Sequence, residues 1–251
     1  MKCWICHSPA ETGEHKIKKS LLVAQHGKGP YLGDNALLHV INGIAHKIQG
    51  PNAATLKYNH CLCAKCNNEK TQLFDFAYDK FHQYIMNNEA SIIKHRVIDF
   101  ARIYGDKFED GQRNLFKYFV KLFGRDLAKH KLDIPNDLVN IFDKEVFLTR
   151  LRITFAVNED VLQLLPPEHR PLGVGELRNS VQNLLLLKVP RYRWHTYFSF
   201  LHIFYWYNWD VDGPFGANWI ADSRFLYLGS YYPLTTEQRE KFYKKQSLET
   251  G

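Results

Sequence analysis

Two cysteine pairs mark the first seventy residues, Cys3-Trp-Ile-Cys6 and Cys63-Ala-Lys-Cys66. A C-x-x-C turn lets two sulfurs converge on one ion, and two such turns complete the tetrahedral thiolate shell that zinc prefers. The expectation is a structural zinc site on Cys3, Cys6, Cys63 and Cys66, with Cys61 packed or free. Between the pairs lies Glu14-His15, and Asn67 follows Cys66 directly. An acidic residue beside a histidine can offer a carboxylate to a divalent ion while the imidazole faces a water. Imidazole, with an unperturbed pKa of about 6.5, can take a proton from that water near neutral pH. A hard cation such as Mg2+ favours oxygen ligands, which Glu14 and the amide of Asn67 supply. Such a metal polarises a phosphate and stabilises charge on a leaving oxygen. Taken singly, Glu14 reads as a solvated loop carboxylate, and one histidine among 12 is unremarkable.

The elements that must position these groups fall into three stretches. Residues 1–70 show little hydrophobic periodicity and are rich in Cys, His, Gly and Asn, so a metal has to replace the missing core. Ala24 to Ala53 reads as loop with short strands, and Thr55–Tyr58 as a strand leading into the second cysteine turn. From Thr71 the pattern becomes helical. Phe74, Ala77, Tyr78, Phe81, Tyr84 and Ile85 recur at helical spacing, which predicts a helix over Gln72–Asn87. Further helix is expected over Ala90–Tyr104 and Gln112–Phe123. Strands are expected over Val146–Val157, Leu184–Val189, Tyr197–Trp206 and Arg224–Leu228. The polar tail after Leu234 reads as a frayed helix. No internal repeat or low-complexity tract is present.

The chain has 251 residues, is 45% hydrophobic and carries a formal charge of +7. The basic balance suits a polyanion partner. Two C-x-x-C pairs without a secretory leader read as metal ligands rather than disulfides, so a cytoplasmic location is expected. No apolar run approaches the roughly 20 residues needed to span a bilayer, and no membrane association is expected.

The string Cys3-x-x-Cys6, Glu14-His15-Lys-Ile-Lys-Lys-Ser-Leu21 and Cys63-x-x-Cys66-Asn67-Asn68 resembles the zinc-containing branch of the HNH (ββα-metal) nucleases. The resemblance covers residues 1–85 and implies that His15 is the general base. It further implies that Glu14 and Asn67 bind a catalytic Mg2+ or Mn2+, and that Asn59 braces the hairpin loop. Asn68 and His60 remain alternative ligands to Asn67. Lys18 stands where the family often has proline. The stretch from Leu22 to Lys57 is long for a bare hairpin, so the module carries an elaboration.

Residues 86–251 carry no motif assignable to chemistry. Nine aromatic residues between Trp194 and Trp209, preceded by Arg191 and Arg193, read as a buried core element rather than a stacking platform for bases. Asp210, Asp212 and Asp222 read as a turn, and Gly173-Val-Gly175 is too short for a phosphate loop. The expected architecture is α+β, with a zinc-stapled ββα module at 1–85 and an accessory domain at 86–251 for substrate or partner recognition. The expected function is metal-dependent hydrolysis of DNA. The alternatives are a non-catalytic zinc-dependent nucleic-acid-binding module and an RNA-directed nuclease. A protein partner from a defence or mobile-element system is compatible with either activity. Lys16, Lys18, Lys19, Lys65 and Lys70 add positive charge around the site.

Overall fold

The computed structural model describes residues 2–13, 15–33, 36–41, 44–58, 60–145, 147–184, 187–209 and 215–249. The fold is mixed α+β. Helix α1 (Lys19–His26), strands β1 (Leu37–Ile41) and β2 (Ile44–Ile48) and a 3-10 turn (Ala54–Leu56) lie between the cysteine pairs. β1 and β2 form an antiparallel hairpin. Ile17, Leu22, Tyr31, Ile48 and Leu56 give this insertion a small core of its own. Its one regular helix, α1, was not anticipated. Only Leu21 and Leu22 of α1 are buried, and two adjacent positions make too weak a periodic signal.

A π-helical turn (Lys65–Lys70) leads into α2 (Gln72–Asn87), whose predicted limits match those observed. α2 buries Phe74, Ala77, Tyr78, Phe81 and Ile85 along one stripe. The expected helix over 90–104 is broken in three: α3 (Glu89–His95), β3 (Val97–Asp99) and α4 (Phe100–Tyr104). Arg96, left-handed with φ 55°, ends α3. The three residues after it pair with a strand more than a hundred positions away, which overrides their helical spacing. α5 runs over Phe108–Lys129, longer than predicted at both ends.

After α6 (Asn136–Asn140), β4 (Leu151–Asn158), α7 (Glu159–Leu164), β5 (Leu172–Val174), β6 (Arg178–Leu184), β7 (Leu187–Phe198) and β8 (Leu201–Tyr207) follow. Then come β9 (Phe225–Tyr227), β10 (Gly229–Tyr231) and α8 (Thr236–Glu249). The main sheet has the order β10-β4-β8-β7-β5, with β6 also pairing β7; only β10–β4 is parallel. Two predicted strands straddle turns. The stretch 197–206 divides at Ser199 (φ 49°) into β7 and β8, and 184–189 belongs to both β6 and β7. At Ser199 the turn is hidden because Phe198 and Phe200 on its two sides are both buried. α8 begins with a reciprocal capping box: Gln238 N donates to Thr235 Oγ1 (3.2 Å) and Thr235 N donates to Gln238 Oε1 (2.8 Å).

α5 is the centre of the molecule. One side packs on the sheet, with Phe123 stacked on Tyr205 (5.7 Å) and Phe119 edge-on to Phe155 (5.7 Å). The other side meets α2, where Tyr118 stacks on Tyr78 at 4.1 Å and Phe119 lies edge-on to Phe81. Each such aromatic pair adds about 0.5–1.5 kcal/mol beyond area burial. Encirclement explains why even Lys121 is fully buried; its ammonium lies 3.1 Å from the Asp75 carboxylate on α2. The expected burial of the aromatic run holds. Trp194, Phe200, Leu201 and Tyr205 are fully buried, while Phe204 and Trp206 lie under Phe215 and Tyr231 on the opposite face. Asp222 is exposed; Asp210 and Asp212 lie outside the described residues. Gly173 and Gly175 sit in and just after β5 against the side chains of Tyr197 and His195, so they serve packing.

That second sheet face also buries two histidines. His202 lies 5.6 Å from His195 and 4.9 Å from Tyr231, ring to ring. Burial pushes the imidazole of His195 down to about 4 and that of His202 down to about 3, with Arg193 and Arg178 adding repulsion at His195. Both are therefore neutral in the fold, whereas in the unfolded chain they bind protons below about pH 6.5. The unfolded state gains protons first as pH falls, so stability present above that pH is lost progressively towards pH 3–4. The thermal midpoint is expected to fall by several degrees between pH 7.5 and pH 5. His202→Gln should shrink that fall; an unchanged fall in the variant would remove His202 from the effect.

Candidate metal centre and adjoining groups

The first cysteine turn is closed by Cys3 N donating to Ser8 O (2.7 Å) and His7 N donating to Cys3 O (2.8 Å). The second opens the π-helical turn, with Cys66 N donating to Cys63 Sγ (3.4 Å) and Asn67 N to Cys63 O (3.0 Å). Two contacts bring the turns together. Trp4 N donates to Cys61 O (3.2 Å), and the Leu62 carbonyl accepts from Glu11 N, Thr12 N and Thr12 Oγ1 at 2.8–3.1 Å. As a result the sulfurs of Cys3, Cys6, Cys63 and Cys66 all lie within 4.8 Å of one another.

Those distances fit zinc. A tetrahedron with Zn–S bonds of about 2.3 Å has edges of about 3.8 Å. Cys6 Sγ and Cys63 Sγ are 3.5 Å apart, far beyond a disulfide bond of about 2.05 Å, and none of the five cysteines forms a disulfide. Burial pushes the thiols of Cys3 and Cys66 up, while the Ser8 hydroxyl and backbone pull that of Cys6 down to about 6. Four thiols this close cannot share negative charge without a cation, so the arrangement suits a metal that displaces their protons. Cys61 is buried but stands outside the cluster, as expected. Among the described residues these four cysteines are the only cluster of three or more His, Cys, Asp or Glu side chains with ligand spacing.

The residues expected to serve hydrolysis fall on the same scaffold, as far as they are described. Thr12 bridges Leu62 and His15 bridges Lys57, both antiparallel, and Lys16 N donates to Leu56 O (2.7 Å). Thr12 and His15–Lys16, on a first limb, thus lie beside Leu62 and Leu56–Lys57 on a second, and Leu62 leads directly into the second cysteine turn. His15 is half-buried on the first limb. Asn67 is half-buried at the start of the helical segment, its carbonyl accepting from Thr71 Oγ1 (2.9 Å). Glu14 and Asn59 lie outside the described residues. Asn68 and His60 are exposed, and the His60 ring lies against Gly13, beside the first limb.

Three supports of this scaffold escaped sequence reasoning. Lys18 acts as a tether, donating to the Asp75 carbonyl (2.8 Å) and pairing with Asp79 (2.8 Å). Asp75 and Asp79 stand four apart on α2, the one local signal that a cation was to meet that face. Tyr58 donates to Asp126 Oδ1 (3.2 Å) and lies under the Arg125 guanidinium (4.4 Å). Burial pushes the Asp126 carboxyl up, with His130 and Lys129 opposing. Nothing local connects residues 68 positions apart. Third, Trp4 lies edge-on to Phe142 (5.5 Å) with its ring over Gly124 of α5. A Cβ at Gly124 would stand 2.5 Å from that ring. Gly124→Ala is therefore expected to cost about 1–3 kcal/mol through overpacking and to loosen the first cysteine turn. Zinc competition with a chelator checks this: zinc held as tightly as in the wild type would show that the Trp4 contact does not support the turn.

No helix among the described residues is long and apolar enough to cross a membrane. Comparison with family models, with curated proteins and with solved structures finds no match to this chain.

Proposed function

We propose that this protein is a metal-dependent endonuclease of the HNH type that hydrolyses phosphodiester bonds of DNA. One observation carries the reading. Two antiparallel limbs, the first bearing His15 after an acidic residue, feed into a helix whose opening turn holds Cys63, Cys66 and Asn67. The four-cysteine cluster fastens the start of the first limb to the end of the second, so a core-poor segment can hold its shape.

By the resemblance, the Glu14 carboxylate and the Asn67 amide would hold Mg2+ or Mn2+, whose preference is for oxygen donors. When bound, such a cation supplies Lewis-acid polarisation of the phosphate and stabilisation of the departing oxygen. His15 takes the proton of the attacking water, and its place on a paired limb restricts the imidazole to one side of the hairpin. Lys16 and Lys57 flank it as phosphate contacts that set position without reading sequence. Residues 86–251 serve substrate or partner recognition.

Supercoiled plasmid incubated with Mg2+ or Mn2+ tests the reading, beside an RNA substrate of matched length. Nicked or linear DNA supports it. Cleavage of RNA alone selects the RNA-directed alternative, and binding without cleavage of either selects the binding module.

A further inference from the structure

The insertion between the cysteine pairs encloses an open groove of about 770 Å³. Lys19 and Val23 of α1 line it, as do Lys28 and, from the stretch 47–55, Lys47, Gln49, Asn52 and Thr55. Among the described residues no acidic side chain lines it. Lys19, Lys28 and Lys47 are exposed and make no ion pair with any described residue. Other lysines nearby behave differently: Lys18, Lys70 and Lys121 are each paired to an aspartate.

Cations gathered around one concavity repel one another and raise the local positive potential, which an anionic ligand relieves. The walls are firmly built. Ile48, Leu56, Leu22 and Tyr31 are buried beneath them, Tyr31 N donates to Gln49 O (3.0 Å), and Ala53 N donates to Gly50 O (3.1 Å). The groove also leads towards the hydrolytic limb. Thr55, on its wall, accepts through its carbonyl from Lys16 Nζ (2.8 Å), and Lys57, two residues on, is the bridge partner of His15.

We propose that this groove is a phosphate track, holding the backbone of a nucleic-acid strand on Lys19, Lys28 and Lys47 and directing it to His15. The identity of the anion rests on the nuclease reading; the grip itself does not require cleavage. Lined by ammonium and amide groups, with no aromatic side chain among its walls, the groove holds a backbone without stacking bases.

The test measures binding of a labelled single-stranded and a labelled duplex DNA by fluorescence polarisation, without added divalent metal, across a salt series. Wild type is compared with K19Q/K28Q/K47Q and with a charge-matched control, K80Q/K94Q/K107Q, on exposed lysines elsewhere. The groove variant should bind about tenfold more weakly or worse, and its log–log salt slope should be shallower by about 2, since each phosphate contact contributes about 0.7–0.9. The control should lose less than about threefold. Equal losses in the two variants would reduce the effect to net charge and overturn the track, as would wild-type affinity in the groove variant. A wild type that binds neither DNA also overturns it. A groove-dependent binder that never cuts leaves the track standing and defeats the nuclease reading alone.

Discussion

Replacing Cys66 by serine is expected to strip zinc from the protein and unfold its N-terminal third. Structural zinc contributes roughly 10–16 kcal/mol of apparent binding energy at neutral pH in small thiolate modules, more than the 5–15 kcal/mol that stabilises a typical domain. Here that energy is needed. Residues 2–13 contain no regular element, and their attachment to the rest of the fold is the cysteine cluster, the Leu62 carbonyl and Trp4. Zinc content should fall from one ion per chain to near zero, and proteolysis should open the segment before α2. Chelation of the wild type should reproduce both effects. Cys61→Ser provides the contrast: its sulfur stands outside the cluster, so zinc should be retained while burial of a hydroxyl costs only modest stability. Full zinc occupancy in a folded Cys66→Ser protein would end the four-cysteine assignment.

His15→Ala is expected to lower plasmid cleavage by about 10²–10⁴, the usual contribution of a positioned general base. The residue is half-buried on a strand limb, so truncation should leave the backbone bridge to Lys57, the zinc content and the thermal midpoint close to wild type. That combination separates chemistry from stability, since Cys66→Ser moves both. DNA binding measured without divalent metal should also be unchanged if, as proposed, the groove lysines and not the imidazole hold the phosphates. Cleavage at the wild-type rate in His15→Ala would remove His15 from the mechanism, even with the zinc site intact.

The four-cysteine cluster was legible in the sequence because its signal is local. A C-x-x-C turn declares itself in four residues, and Cys63-Ala-Lys-Cys66 then folds as such, with Cys66 N on Cys63 Sγ. α2 was legible for a similar reason: its apolar stripe faces one neighbour, so burial and periodicity coincide. The matching of Cys3 and Cys6 to Cys63 and Cys66 was also available, because four soft ligands on one chain have one economical use.

What only the tertiary structure decided involves residues whose partners are distant. The helix expected over 90–104 gave way to β3, because pairing with β9 and the left-handed Arg96 outweighed local propensity. The long aromatic run was recognisable as core, yet its turn at Ser199 was not, since that serine is buried between Phe198 and Phe200 and is the one polar residue at the reversal. Tyr58 on Asp126, Lys18 on α2 and the lysine groove all arise from contacts between segments that share no spacing rule. Composition and spacing determined which groups this protein carries. The packing of α5 between sheet and α2, and the meeting of the two cysteine turns, determined where those groups face, because burial energy depends on neighbours that no local window contains.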